Sequence, residues 1–171
     1  MKKALLLSFV LAVGAAHAQN PLTSSIQQRF NAIRMNLEEA ADAMPAEKYG
    51  FKLSDGQMTF GEWILHSAIS NYGSCATIKG QERPEAAGKL NGLKEKAAIS
   101  EAIKDSFTYC AEALQGFDDA KALASAPLTN ALLTTVVHNN EIYGNIVGYL
   151  RVSSIVPPST ARAQRMKGKK K

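Results

Sequence analysis

Apolar residues recur at spacings of three and four along four separate stretches of this chain, and no stretch of useful length alternates apolar with polar residues. A stripe with that period is one face of an α-helix, and four such faces are hidden from water most simply by packing on one another. The first stripe runs Ile26, Phe30, Ile33, Leu37, Ala41, Met44, opened by Pro21-Leu22-Thr23-Ser24 and stopped before Pro45. The second runs Phe60, Trp63, Ile64, Ala68, Tyr72, Cys75, Ile78 and ends at Lys79-Gly80. It follows Thr59-Phe60-Gly61-Glu62, a capping box in which threonine and glutamate each satisfy an orphan amide. The third, from about Lys94 to Leu114, carries Ala98, Ile99, Ala102, Ile103, Ser106, Phe107 and Cys110, with Gly116 as its stop. The fourth starts at Pro127 and runs through Leu128, Leu132, Val136, Tyr143, Val147 and Leu150 to about Ser154, before Val156-Pro157-Pro158. The spacing predicts an all-α fold, a four-helix bundle over residues 19–158.

The connections constrain the helix directions. Residues 45–58 form a loop that Tyr49 and Phe51 pack down. Residues 79–94 are polar, with Pro84, Gly88 and Gly92, and can reach about 50 Å when extended. Helices of this size are about 30 Å long, so the third can cross back to run parallel to the second. Parallel helices bring Cys75 and Cys110 to one level, and a disulfide needs Cα atoms within about 7 Å. A Cys75–Cys110 bridge is expected on that ground, the alternative being two separate core thiols.

Met1-Lys2-Lys3, a largely apolar run from Ala4 to Ala15 and Ala16-His17-Ala18 have the pattern of a secretory signal peptide, residues 1–18. A membrane anchor needs about 20 apolar residues, more than this run supplies. The expected product is an exported chain, periplasmic or extracellular, with no transmembrane segment after cleavage. An oxidising compartment also suits the bridge. Lys2 and Lys3 leave with the signal, and six of the 20 basic residues lie in the final ten, so the remaining twelve face 15 acidic ones. The positive charge thus resides in a tail, residues 159–171, expected to be disordered because it lacks apolar periodicity and follows a double proline. Export removes nucleic acid as its partner. Contact with anionic envelope polymers or lipid head groups is the alternative to plain solvation.

The mature chain resembles the DinB-like (DinB/YfiT) proteins through "MPAEKYGFK", "MTFGEWILHSAISNYGSC", "DSFTYC" and "NNEIYGNIVGYLRVSSIVPPS", in that order. The resemblance implies an up-down-down-up bundle and a divalent metal, zinc or nickel, held by one histidine of the second helix and two of the fourth at i and i+4. It also implies the activities found among such proteins, thiol-dependent transfer or isomerisation among them. His66 and His138 match the first two ligand positions; the third is Ile142, where "NEHYG" reads "NEIYG". Catalytic zinc generally takes three protein ligands and leaves one position open, so this departure implies weak or absent metal. Glu62, one turn before His66, is a possible substitute that its capping role competes for, and Glu141 is expected to point away. Two readings follow. One is a non-catalytic binding or structural bundle with a degenerate two-histidine pocket, its partner an unknown small molecule. The other is a metal-dependent enzyme, thiol transferase or hydrolase-like.

Phosphate-binding glycine loops, dinucleotide fingerprints and nucleophile elbows are absent from the sequence. Asn71, Tyr72, Asn139, Asn140 and Tyr143 are candidates either to line a pocket or to bond helix to helix. Bundles of this kind often pair as homodimers, and no heptad here specifies it.

Overall fold

The structure, a computed structural model, describes residues 20–169; the expected signal peptide lies outside the described residues. Its α-helices are α1 (Pro21–Ala43), α2 (Phe60–Lys79), α3 (Glu85–Gly88), α4 (Lys96–Leu114), α5 (Asp119–Ala122), α6 (Ala126–Thr134), α7 (Val137–Val152) and α8 (Pro158–Gly168). No strand occurs among the described residues. The four stripes are buried as their spacing requires: Phe30, Ile33 and Leu37 from α1, Phe60 and Ile64 from α2, Ile99, Ile103 and Phe107 from α4, and Ile146 and Leu150 from α7 share one core.

Side-chain contacts show how the helices run. From the start of α2 to its end, Gly61 meets Ile99, Asn71 meets Ser106, Cys75 meets Cys110 and Lys79 meets Glu112. Both numbers rise together, so α2 and α4 are parallel. Against α1 the order reverses: Phe30 packs on Phe107 while Asp42 pairs with Lys104. It also reverses between α2 and α7, where Asn71 bonds Asn139 and Phe60 packs near Tyr149. The Cys75–Cys110 disulfide joins the parallel pair, with a Cα–Cα distance of 5.2 Å.

Helix ends follow local chemistry where the sequence supplies it. Thr59 Oγ1 accepts from the Glu62 amide at 3.1 Å, and the Glu62 carboxylate accepts from the Thr59 amide at 2.7 Å. Gly80 closes α2 at φ 64°, a left-handed conformation that costs glycine little. The start of α1 is capped from a distance instead: the Asp119 carboxylate accepts from the Leu22 and Thr23 amides at 3.1 and 2.8 Å. Tyr49 holds the 45–58 loop, donating to the Ala41 carbonyl at 2.6 Å beside Ser100, and burial pushes its hydroxyl pKa up to about 12. Gly61 lets that loop approach, since a Cβ there would sit 3.1 Å from Ile99 and 3.2 Å from Tyr49.

Two expectations are corrected. The fourth stripe is not one helix but two, α6 and α7, broken at Thr135 and Val136. There the Val136 amide bonds back three residues to Leu133, and the Asn139 side chain takes the Thr135 carbonyl that the ladder would have used. The tail is not disordered over its described part, because Pro158–Gly168 is helical. Pro158 presets the first helical turn, Tyr143 and Ser159 bond each other twice, and Arg162 binds Glu39 and Asn36 of α1. Periodicity could not reveal this helix because polar and charged contacts, not an apolar stripe, hold it. Among the described residues, no helix is long and apolar enough to cross a membrane.

The disulfide closes a loop with a sequence separation of 35. Replacing both cysteines by alanine should lower unfolding free energy by about 3 to 4 kcal/mol in urea titrations at unchanged fold. A loss below about 1 kcal/mol would mean that the bridge adds little to packing.

Candidate functional site

The site grows from a polar network buried where α2, α4 and α7 meet. Ser67 Oγ donates to Asn139 Oδ1 at 2.5 Å, and Asn139 Nδ2 donates to Asn71 Oδ1 at 2.7 Å and to the Thr135 carbonyl at 2.9 Å. Asn71 Nδ2 donates to Ser106 Oγ at 3.1 Å, which in turn donates to the Ile103 carbonyl. Ser67, Asn71, Ser106 and Asn139 are almost wholly buried. Each donor in this chain has an acceptor, which is the condition on which buried polar groups are tolerated. Asn71 and Asn139 therefore bond helix to helix. Tyr72 packs on Tyr109, Asn140 bonds the Val136 carbonyl and Tyr143 bonds Ser159, so these three also serve structure.

One residue along from Ser67 and Asn139, toward solvent, the same register sets His66 against His138. Their Nε2 atoms are 3.0 Å apart, and the rings meet edge to face with centroids at 4.9 Å. The far nitrogen of His138, Nδ1, lies 3.3 Å from Glu141 Oε2. Glu141 thus turns back to its neighbour one turn away, on the edge of His138 that faces away from His66. The i, i+3 spacing was the available signal. Partial burial, and then the nearness of His138, lower the pKa of His66, which favours its neutral form.

His66 also lines a groove of about 470 Å³. Glu62, Leu65, His66 and Ile69 form one wall, all on one face of α2; the loop residues Lys52, Asp55 to Met58, and Leu90 to Gly92 supply the others. The Tyr149 hydroxyl, donating to the Met58 carbonyl, holds the first of those loops in place. Sequence reading treated both loops as connections, and only the fold makes them walls.

Two imidazole nitrogens converge, and Ile142, one helical turn from His138, is almost fully buried. Among the described residues, no three His, Cys, Asp or Glu side chains gather as a metal-ligand group. Glu62 is committed to the Thr59 amide, a bond that lowers its pKa. Two imidazoles, with no third such side chain beside them among the described residues, meet at this point.

A fold of this kind, with histidines facing each other from its second and last long helices, defines a class. The sequence model of the DinB superfamily matches residues 29–141, and the chain belongs to that superfamily. The match spans His66 and His138 and ends one residue before Ile142. No curated protein and no solved structure matches the chain.

Two outcomes are expected. Asn139→Ala orphans the Ser67 hydroxyl and the Asn71 carbonyl, and should cost at least about 2 kcal/mol in denaturant titrations. As pH falls below the ordinary histidine value, about 6.5, the unfolded chain takes up a proton that folded His66 resists, so stability drops as pH falls through that window. His66→Asn should flatten this part of the stability curve; an unchanged slope would place the acid-sensitive group elsewhere.

Proposed function

We propose that this chain is an exported DinB-superfamily bundle that binds a small molecule in the groove beside His66 and works without a resident catalytic metal. One observation carries the reading: the two Nε2 atoms face each other at hydrogen-bonding distance, and Ile142, where the resemblance calls for a third donor, is buried and apolar. A neutral pair satisfies itself through one N–H and one lone pair, with no ion required. The groove combines apolar Met58, Leu65, Ile69 and Leu90 with polar Lys52, Asp55 and Asn91, the mixture by which a small ligand is both buried and oriented. Export is supported by the signal-like first 18 residues and by the disulfide.

A metal-dependent enzyme, thiol transferase or hydrolase-like, is the second reading, and the convergence of two imidazoles favours it. Metal analysis of the mature chain, purified after exposure to zinc and nickel, separates the two. We expect less than about a tenth of an equivalent, unchanged in His66→Ala. One equivalent that His66→Ala abolishes would overturn the metal-free reading. Ile142→His restores the third imidazole and should tighten zinc binding at least about a hundredfold; no gain would mean that position 142 does not face the pair.

A further inference from the structure

Resting on that metal-free reading, a sharper statement about ligand chemistry follows from three side chains in a row. Glu141 Oε2, His138 Nδ1, His138 Nε2 and His66 Nε2 form a chain with contacts of 3.3 and 3.0 Å. An ionised carboxylate only accepts hydrogen bonds, so the ring nitrogen facing it carries the hydrogen. A neutral imidazole has one N–H, and His138 spends it on Glu141. Its Nε2 is then a bare lone pair, and the facing Nε2 of His66 must be the N–H of that contact. His66 is left with its hydrogen on Nε2 and a lone pair on Nδ1. That nitrogen has no hydrogen-bond partner among the described residues, and His66 lines the groove. The opposite order would set a His138 lone pair against the carboxylate.

We propose that Glu141 is a positioning residue that, through His138, fixes the tautomer of His66 and so makes the groove a hydrogen-bond acceptor at Nδ1. The ligand class is a small molecule with an apolar body and an O–H or N–H donor, such as an alcohol, phenol or amine. A carboxylate has no hydrogen to offer. An ether of the same shape lacks it too. Leu65, Ile69, Leu90 and Met58 take the apolar body. The relay acts through which nitrogen holds a hydrogen, so it leaves no mark on the sequence apart from a glutamate three residues after a histidine.

Long-range proton–nitrogen NMR of the mature, nitrogen-15-labelled chain at pH 8 tests this directly, since it distinguishes protonated from bare ring nitrogens. The expected spectrum has His138 with Nδ1–H and His66 with Nε2–H. Glu141→Gln, at a largely exposed position, keeps the fold and presents an amide that both donates and accepts, so it should shift both rings toward mixed tautomers. Glu141→Asp tests whether a shorter carboxylate restores the pattern. Phenol should move the His66 Nδ1 resonance at concentrations at least threefold lower than anisole or benzoate, and this preference should vanish in Glu141→Gln.

His66 with Nδ1–H in metal-free protein, or tautomers indifferent to Glu141→Gln, would overturn the relay alone. Both rings with Nδ1–H beside one equivalent of bound metal would overturn the metal-free reading as well. The expected tautomers without any preference for phenol would overturn the assigned ligand class.

Discussion

The hydrogen bond between Ser67 and Asn139 is the constraint on which the rest of the site depends. Both side chains are nearly inaccessible to water, and each must find its partner inside the protein. Asn139 reaches Asn71 as well, and Asn71 reaches Ser106, so one buried chain of donors joins three helices. Sliding α7 by a single turn would leave several of these groups unsatisfied at once. Apolar contacts tolerate such a slip far better, because they have no direction. His66 and His138 adjoin Ser67 and Asn139 in sequence, so the register that satisfies the amides also sets the imidazoles face to face.

The disulfide and the network divide the work along α2. Cys75 and Cys110 bind its C-terminal half to α4 covalently, whereas the amide chain fixes its middle against α7. The N-terminal half of α2 is left to form a groove wall. The 45–58 loop, held by Tyr49 and by Tyr149, closes over that end, each phenol being buried and bonded to a backbone carbonyl.

Two facing imidazoles differ in kind from a set of three. Three imidazoles around one point would repel unless an ion accepted their lone pairs. Two can satisfy each other, one donating and one accepting. Glu141 then acquires a role at the far edge of His138, where its charge selects the direction of the hydrogen bond. The buried alkyl group of Ile142 adds packing to the core one turn from His138.

Much of this was legible in the residues. The four apolar stripes, the Thr59–Glu62 capping box, the parallel pairing of α2 and α4 and the cysteine bridge follow from periodicity, local bonding and loop length, because each depends on neighbours in the chain or on a simple limit of reach. Legible too, through the resemblance, was the meeting of His66 and His138. Tertiary structure decided the rest. The break at Thr135 exists because Asn139 captures a backbone carbonyl, and α8 is helical because Arg162 finds Glu39 and Asn36 on α1. Asp119 caps a helix that begins nearly a hundred residues earlier. Polar contacts between distant residues have no period along the chain, so the groove, the amide network and the direction of the histidine relay become visible only once the helices are packed.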